Sequence, residues 1–180
     1  RALYEALPKS VDVRFATSLR DIALGAKNVA ATLTDGTAVQ ADLLIGAGGV
    51  HSSVRAQIFG AEENYFRYLG YHVAAYIFEN EEISAALKGR FLLHTVPNRQ
   101  VGLYAIRGGR IASFFVHSDP DPALPEDPLV KLKEVYGDLG WLVPQTLKGG
   151  DGAEIYYDQV AQIEMEDWAK GRVVMLGDAA

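Results

Sequence analysis

Asp42-Leu-Leu-Ile-Gly-Ala-Gly-Gly-Val-His-Ser-Ser-Val-Arg55 is the stretch on which the reading of this sequence turns. Asp42-Leu-Leu-Ile45 is a short continuous apolar run, the pattern of a strand covered on both faces. It runs into Gly46-Ala-Gly-Gly49, after which Ser52–Phe59 reads as a short helix stopped by Gly60. A second phrase, Gly171-Arg-Val-Val-Met-Leu-Gly-Asp-Ala-Ala180, repeats the plan of apolar strand followed by glycine. In an open α/β sheet, ligands bind beyond the carboxyl ends of such strands. Glycine there lets backbone N–H groups approach a phosphate, and a helix start adds a positive field. Asp178, where a strand ends, is placed to accept hydrogen bonds from a ribose hydroxyl. Arg55, within the helix, is placed to meet a phosphate or an acidic group of a cofactor. For either phrase alone a tight turn without any ligand is an equal reading; the pair, flanking an intervening sheet, favours a cofactor.

Outward from these phrases the pattern changes. Val11-Asp-Val-Arg-Phe15 alternates as a half-buried strand does. Val29–Thr34 and Thr37–Gln40, joined by Asp35-Gly36, read as a hairpin, because both turn positions tolerate positive φ. Tyr71–Phe78, Phe91–Val96, Gln100–Ile106 and Ile111–His117 are four strand-like runs, the last two joined at Gly108-Gly109, and together they predict an antiparallel meander. The proline- and acid-rich stretch Asp119–Pro128 is a loop. Asp127-Pro128 then starts a helix that ends at Gly137 and sets Leu129, Leu132, Val135 and Tyr136 on one face. Tyr156–Glu164 is again extended. The order parallel-type strand, antiparallel sheet, parallel-type strand gives the expected fold class: α/β (α+β), part of a Rossmann-like layer with an inserted antiparallel-sheet domain.

Composition limits the function classes. The 180 residues carry 17 Lys+Arg against 23 Asp+Glu, a formal charge of −6, with no basic cluster to meet nucleic acid or anionic lipid. The chain has no cysteine, which removes disulfides, thiolate metal sites and cysteine nucleophiles together. No apolar run is long enough to span a membrane and no signal segment is legible, so the expected location is cytoplasmic. His51, His72, His94 and His117 share no ligand spacing, so no metal site is expected. His94 and His117 fall in predicted strands, with an ordinary exposed or satisfied side chain favoured over a place in a substrate cavity. Trp141 and Trp168 are expected mainly to supply core area, and Glu62-Glu63 and Glu79–Glu82 to be solvated. A rival reading takes Gly46–Gly49 as a first dinucleotide loop with Glu79 as its ribose acid. It fails because the third glycine of G-x-G-x-x-G falls on His51, and because Gly60 ends the helix too early.

The two phrases resemble the second and third fingerprints of the FAD-dependent class A aromatic hydroxylases, the p-hydroxybenzoate-hydroxylase-like monooxygenases. Gly46, Ala47, Gly49, Ser52, Val54 and Arg55 follow the order of the family's Gly-Ala-Asp-Gly phrase. Gly171, Arg172, Val173, Gly177, Asp178, Ala179 and Ala180 follow that of its Gly-Asp-Ala-Ala phrase. Tyr156–Trp168 and Leu69–Tyr76 are similar to the branch that contains the tetracycline destructases.

The resemblance implies an FAD enzyme that takes electrons from NAD(P)H, forms a flavin hydroperoxide with molecular oxygen and hydroxylates an aromatic, phenolic or enolic small molecule. It implies cofactor contacts at Gly49, Arg55, Gly177 and Asp178 and names no catalytic side chain. Residues 1–60 and 166–180 would belong to the FAD-binding domain and 61–165 to the substrate sheet. The family's aspartate is Gly48 here, its N-terminal G-x-G-x-x-G is absent, and its flavin-contacting arginine falls at or just before Arg1. Opening on Arg1 and stopping at Ala180, the chain is expected to be an interior slice. Two alternatives stay open: a flavin reductase or saturase on the same scaffold, and a degenerate flavin-binding homologue without catalysis.

Overall fold

The computed structural model describes residues 2–180, so the candidate match at Arg1 lies outside the described residues. The chain divides into two compact units, the residues up to Phe66 together with Ile163–Ala180, and Arg67–Gln162.

The first unit opens with a single helical turn, α1 (Ala2–Glu5), and then a three-stranded antiparallel sheet of β1 (Leu19–Leu24), β2 (Val29–Leu33) and β3 (Ala38–Ala41). The Asp35-Gly36 hairpin forms as read, with Ala31 opposite Val39. The alternation at Val11–Phe15 is not a strand. Its apolar members are exposed and Phe15 leans on Tyr4 instead, ring centroids 5.6 Å apart. The strand lies eight residues further on, in β1, where a register irregularity between Leu19 and Asp21 breaks the period-two pattern that would have announced it. β4 (Leu44–Gly46) and α2 (Ser53–Ile58) follow. Ser52 caps α2, its buried hydroxyl accepting from Arg55 N–H at 3.3 Å.

The second unit is a five-stranded sheet with helices on one face. Its elements are β5 (Phe66–Glu79), α3 (Glu81–Leu87), β6 (Leu92–Val96), β7 (Arg99–Ala105), β8 (Arg110–Ser118), α4 (Pro128–Tyr136), α5 (Val143–Gly149) and β9 (Tyr156–Ile163). The strand order is β6-β7-β8-β5-β9. Three strands meander as read, and the long β5 returns beside β8 with Ala74 opposite Phe115. Period-two alternation sends Ala74, Tyr76, Phe78, Val101 and Phe115 to the helices, where they meet Ile83, Leu132, Tyr136, Val143 and Leu147 in one buried cluster. α4 has the predicted cap, Asp127 Oδ1 accepting from Leu129 and Val130 N–H at 2.9 and 3.1 Å. Glu81 and Glu82 are exposed as expected, but they also open a helix, α3, capped by Asn80 and anchored by the fully buried Ile83 and Leu87. Trp141 and Trp168 supply no core. Both are exposed, Trp141 stacking on His94 and Trp168 donating to Met165 C=O.

β10 (Ala169–Lys170) and β11 (Val173–Met175) return the chain to the first unit. β11 pairs in parallel with β4, giving the mixed α/β class expected from the sequence. Val29, Val54, Ile58, Val173, Met175 and Ala179 form this unit's small core. β4 is covered on one side only, since Leu43 and Ile45 are exposed. No helix among the described residues is long and apolar enough to cross a membrane.

Candidate cofactor site

The parallel register sets Met175 opposite Gly46, so the two glycine phrases leave their strands side by side. Leu176 N–H donates to Gly46 C=O at 2.9 Å and carries the pairing to the strand ends. A Cβ on Gly46 would meet Met175 Sδ and Val54 Cγ1 at 2.9 Å, so glycine is what allows β4, β11 and α2 to pack this closely. Beyond the strands the requirement is reversed. Gly49 (φ +72°) and Gly177 (φ +65°) have left-handed backbones, and nothing lies within 4 Å of where a Cβ would stand. These are two open stretches of backbone with no side chain of their own to fill the space. Asp178 follows Gly177 in a short 3-10 turn, its carboxylate exposed.

Arg55 lies beneath both phrases rather than in front of them. Its side chain is fully buried. It donates to Val50 C=O just after the first glycine phrase, to Ala179 C=O at 3.4 Å in the second, and to Glu62 Oε2 at 2.9 Å. One guanidinium thus ties the first glycine phrase to Ala179, which lies 124 residues beyond Arg55 in sequence. Glu62, read from sequence as a solvated acid, is half-buried and also meets His51 Nδ1 at 2.9 Å. The signal for it was absent, since its partner is defined only once the 3-10 turn Glu62–Asn64 folds back under α2. At Gly48 a Cβ would stand 3.4 Å from Ser52 Oγ, ordinary contact, and the backbone is not left-handed. The family's aspartate is missing here as a side chain only; the loop has kept room for its first carbon.

The structure brings these four predicted residues, Gly49, Arg55, Gly177 and Asp178, into one unit around the ends of two adjacent strands. The predicted histidines behave differently. His72 and His117, unrelated by spacing, are cross-strand neighbours on β5 and β8 and both are buried. With Asp119 they place ligand-type atoms within 4.8 Å of one another. Each donor already has a protein partner except one. His117 Nδ1 and Nε2 meet Tyr136 OH and Tyr157 OH at 3.3 and 3.0 Å, and Asp119 pairs with Lys131 at 3.0 Å. Only His72 Nδ1 is without a hydrogen bond, its Nε2 facing Pro122 C=O at 3.4 Å. Burial, reinforced by His72 and Lys131, pushes the His117 imidazole down to about 4, so it is neutral and able to donate to one tyrosine and accept from the other.

A family model described as "FAD binding domain" matches residues 1–180. A flavin-dependent monooxygenase of Legionella longbeachae is 29% identical over 186 residues, covering 98% of this chain and 47% of its own. Among solved structures, tetracycline destructase Tet(55) superposes with a TM-score of 0.75 at 21% identity, over 90% of this chain and 44% of that one. Klebsiella pneumoniae HpxO, solved with FAD and uric acid, gives 0.70 at 26% identity, over 89% and 42%. The chain spans about half the length of the curated relatives it matches.

Proposed function

The chain belongs to the FAD binding domain family, and on that premise we propose that its protein is an FAD-dependent monooxygenase, driven by NAD(P)H, that hydroxylates an aromatic, phenolic or enolic small molecule with molecular oxygen. The observation that carries the reading is the meeting of the two glycine phrases at the carboxyl ends of β4 and β11, tied by the buried Arg55. FAD, when bound, supplies the acceptance of reducing equivalents and the activation of oxygen. The open backbone at Gly49 and Gly177 admits a cofactor's polar groups to hydrogen-bond distance of the main chain. Asp178 accepts from a ribose hydroxyl, and its exposure leaves the carboxylate available for it. Arg55 acts through the loops, fixing the carbonyls on which their shape depends. The sheet of the second unit supplies the substrate surface. Relatives named as flavin-dependent monooxygenases and a 3-amino-4-hydroxybenzoate 2-monooxygenase support the same chemistry.

The test uses the protein as its gene encodes it. Purification with bound flavin, NAD(P)H oxidation, and label from isotopic oxygen in the product are the expected results. Flavin reduction with an unlabelled product would replace the monooxygenase by a reductase. A protein that neither holds nor takes up FAD would end the proposal.

A further inference from the structure

The two buried histidines of the second unit form a cluster that the flavin chemistry leaves unused. His72 and His117 face each other across β5 and β8, and two residues along these strands lie Ala74 and Phe115, members of the helix-covered core. The pair therefore sits on the covered face of the sheet, at the end where β8 runs out into the loop that precedes α4. Asp119 is the first residue of that loop, its N–H donating to Gly70 C=O at 3.1 Å. His72 and His117 are 1% and 2% exposed and the Asp119 side chain 18%, so the carboxylate is the wetter side of the cluster.

Two imidazoles and one carboxylate, with ligand-type atoms within 4.8 Å of one another, are a donor set that suits Zn²⁺. Such proximity is common; an orphaned buried nitrogen is not. His72 Nδ1 has no hydrogen bond in a ring shut off from water, whereas buried polar atoms in folded proteins are nearly always paired. The hydrogen bonds already present leave room for an ion. His117 can keep Tyr136 on Nδ1 and exchange Tyr157 for a metal on Nε2, and a ligating imidazole ordinarily keeps such a bond on its second nitrogen. Asp119 meets Asp121 N–H through Oδ1 and Lys131 through Oδ2, each at 3.0 Å. Lys131 is the competitor, since its ammonium neutralises the carboxylate that a metal needs, and at 31% exposure it can withdraw to water.

We propose that His72, His117 and Asp119 bind one Zn²⁺, which takes the place of the Lys131 ammonium on the carboxylate and fastens the start of the loop 119–127 to β5 and β8. Bonds of about 2 Å draw the three ligand atoms closer than they stand, and Asp119, beyond its strand, is the one placed to move. Water completes the tetrahedral set. The spacing of the histidines could not announce the site, because β5 and β8 meet only through the sheet register. The inference is independent of the monooxygenase reading.

The experiment takes the gene-encoded protein with FAD added, strips it with EDTA and titrates it with Co²⁺, whose tetrahedral complexes absorb at longer wavelengths than oxidised flavin and which Zn²⁺ displaces. About one Co²⁺ per chain is expected to give that absorption. His72→Phe abolishes it, with flavin content and melting temperature read on the same sample to show that the variant is folded. Lys131→Met keeps all three ligands and tightens Co²⁺ binding about tenfold, because it removes a like charge beside the metal. No tetrahedral absorption, absorption that persists in folded His72→Phe, or an affinity unchanged in Lys131→Met overturns the proposal. Should His72→Phe fail to fold, Lys131→Met decides alone. A protein that binds Co²⁺ in this way but takes up no flavin keeps the metal site and loses the enzymatic reading.

Discussion

Arg55 shows how one buried side chain can organise a site without facing it. Its three acceptors come from three separate segments, and all depend on a single positive charge. Arg55→Ala is expected to cost about 3 kcal/mol, the lower end for a broken buried pair because Glu62 keeps contact with water. Urea denaturation measures it, and FAD affinity should fall in parallel. Asp178 is the contrasting case, exposed and with no hydrogen-bond partner among the described residues. Asp178→Ala should weaken FAD binding by about 1.5–3 kcal/mol, as for a hydrogen bond to a charged group, and leave urea stability intact. Unchanged FAD affinity would remove its ribose role. At His117 the folded-state value of about 4 lies below the ordinary 6.5, so the unfolded chain binds a proton that the folded chain does not. Stability is therefore complete above pH 6.5 and declines as pH falls from there toward 4. Melting curves over that window should flatten in His117→Gln.

At the scale of elements, legibility followed the locality of the cause. The Asp35-Gly36 hairpin and the Asp127-Pro128 helix start were readable because cap and turn lie within a few residues of what they stabilise. Asp127→Ala should cost about 1 kcal/mol by thermal melting, the loss of a two-donor cap. α3 carried an equally local signature, Asn80, two acids, then Ile83 and Leu87 four apart, but its acids drew the reading toward surface. β1 was hidden by its irregular register, and Val11–Phe15 had the alternation without a strand to pair with. The candidate site divides in the same way. Gly49, Gly177 and Asp178 sit in recognisable phrases. The tie from Arg55 to Ala179 and the His72–His117 pair arise only when distant segments meet.

For the whole molecule, the second unit has its own sheet, helices and buried cluster, whereas the first has a small core and several exposed apolar side chains. Ligand binding should therefore be a large part of the first unit's stability. Saturating FAD, at about a hundred times its Kd, adds about 2.7 kcal/mol to a protein that binds it only when folded. A thermal shift with FAD that fails to appear in Asp178→Ala would locate that gain at the Gly177 loop; an equal shift in the variant would place it elsewhere.

The pairing of β4 with β11 also has a consequence in time. β4 is synthesised early, but its parallel neighbour emerges only after the entire second unit has been made. At about 5–20 residues per second, a ribosome takes on the order of ten seconds to cross that interval. Throughout it Arg55 lacks its Ala179 acceptor and Gly46 its Leu176 donor. The nascent chain can thus complete the sheet of its second unit before the two glycine loops can close against each other, so that closure comes late relative to the folding of that sheet.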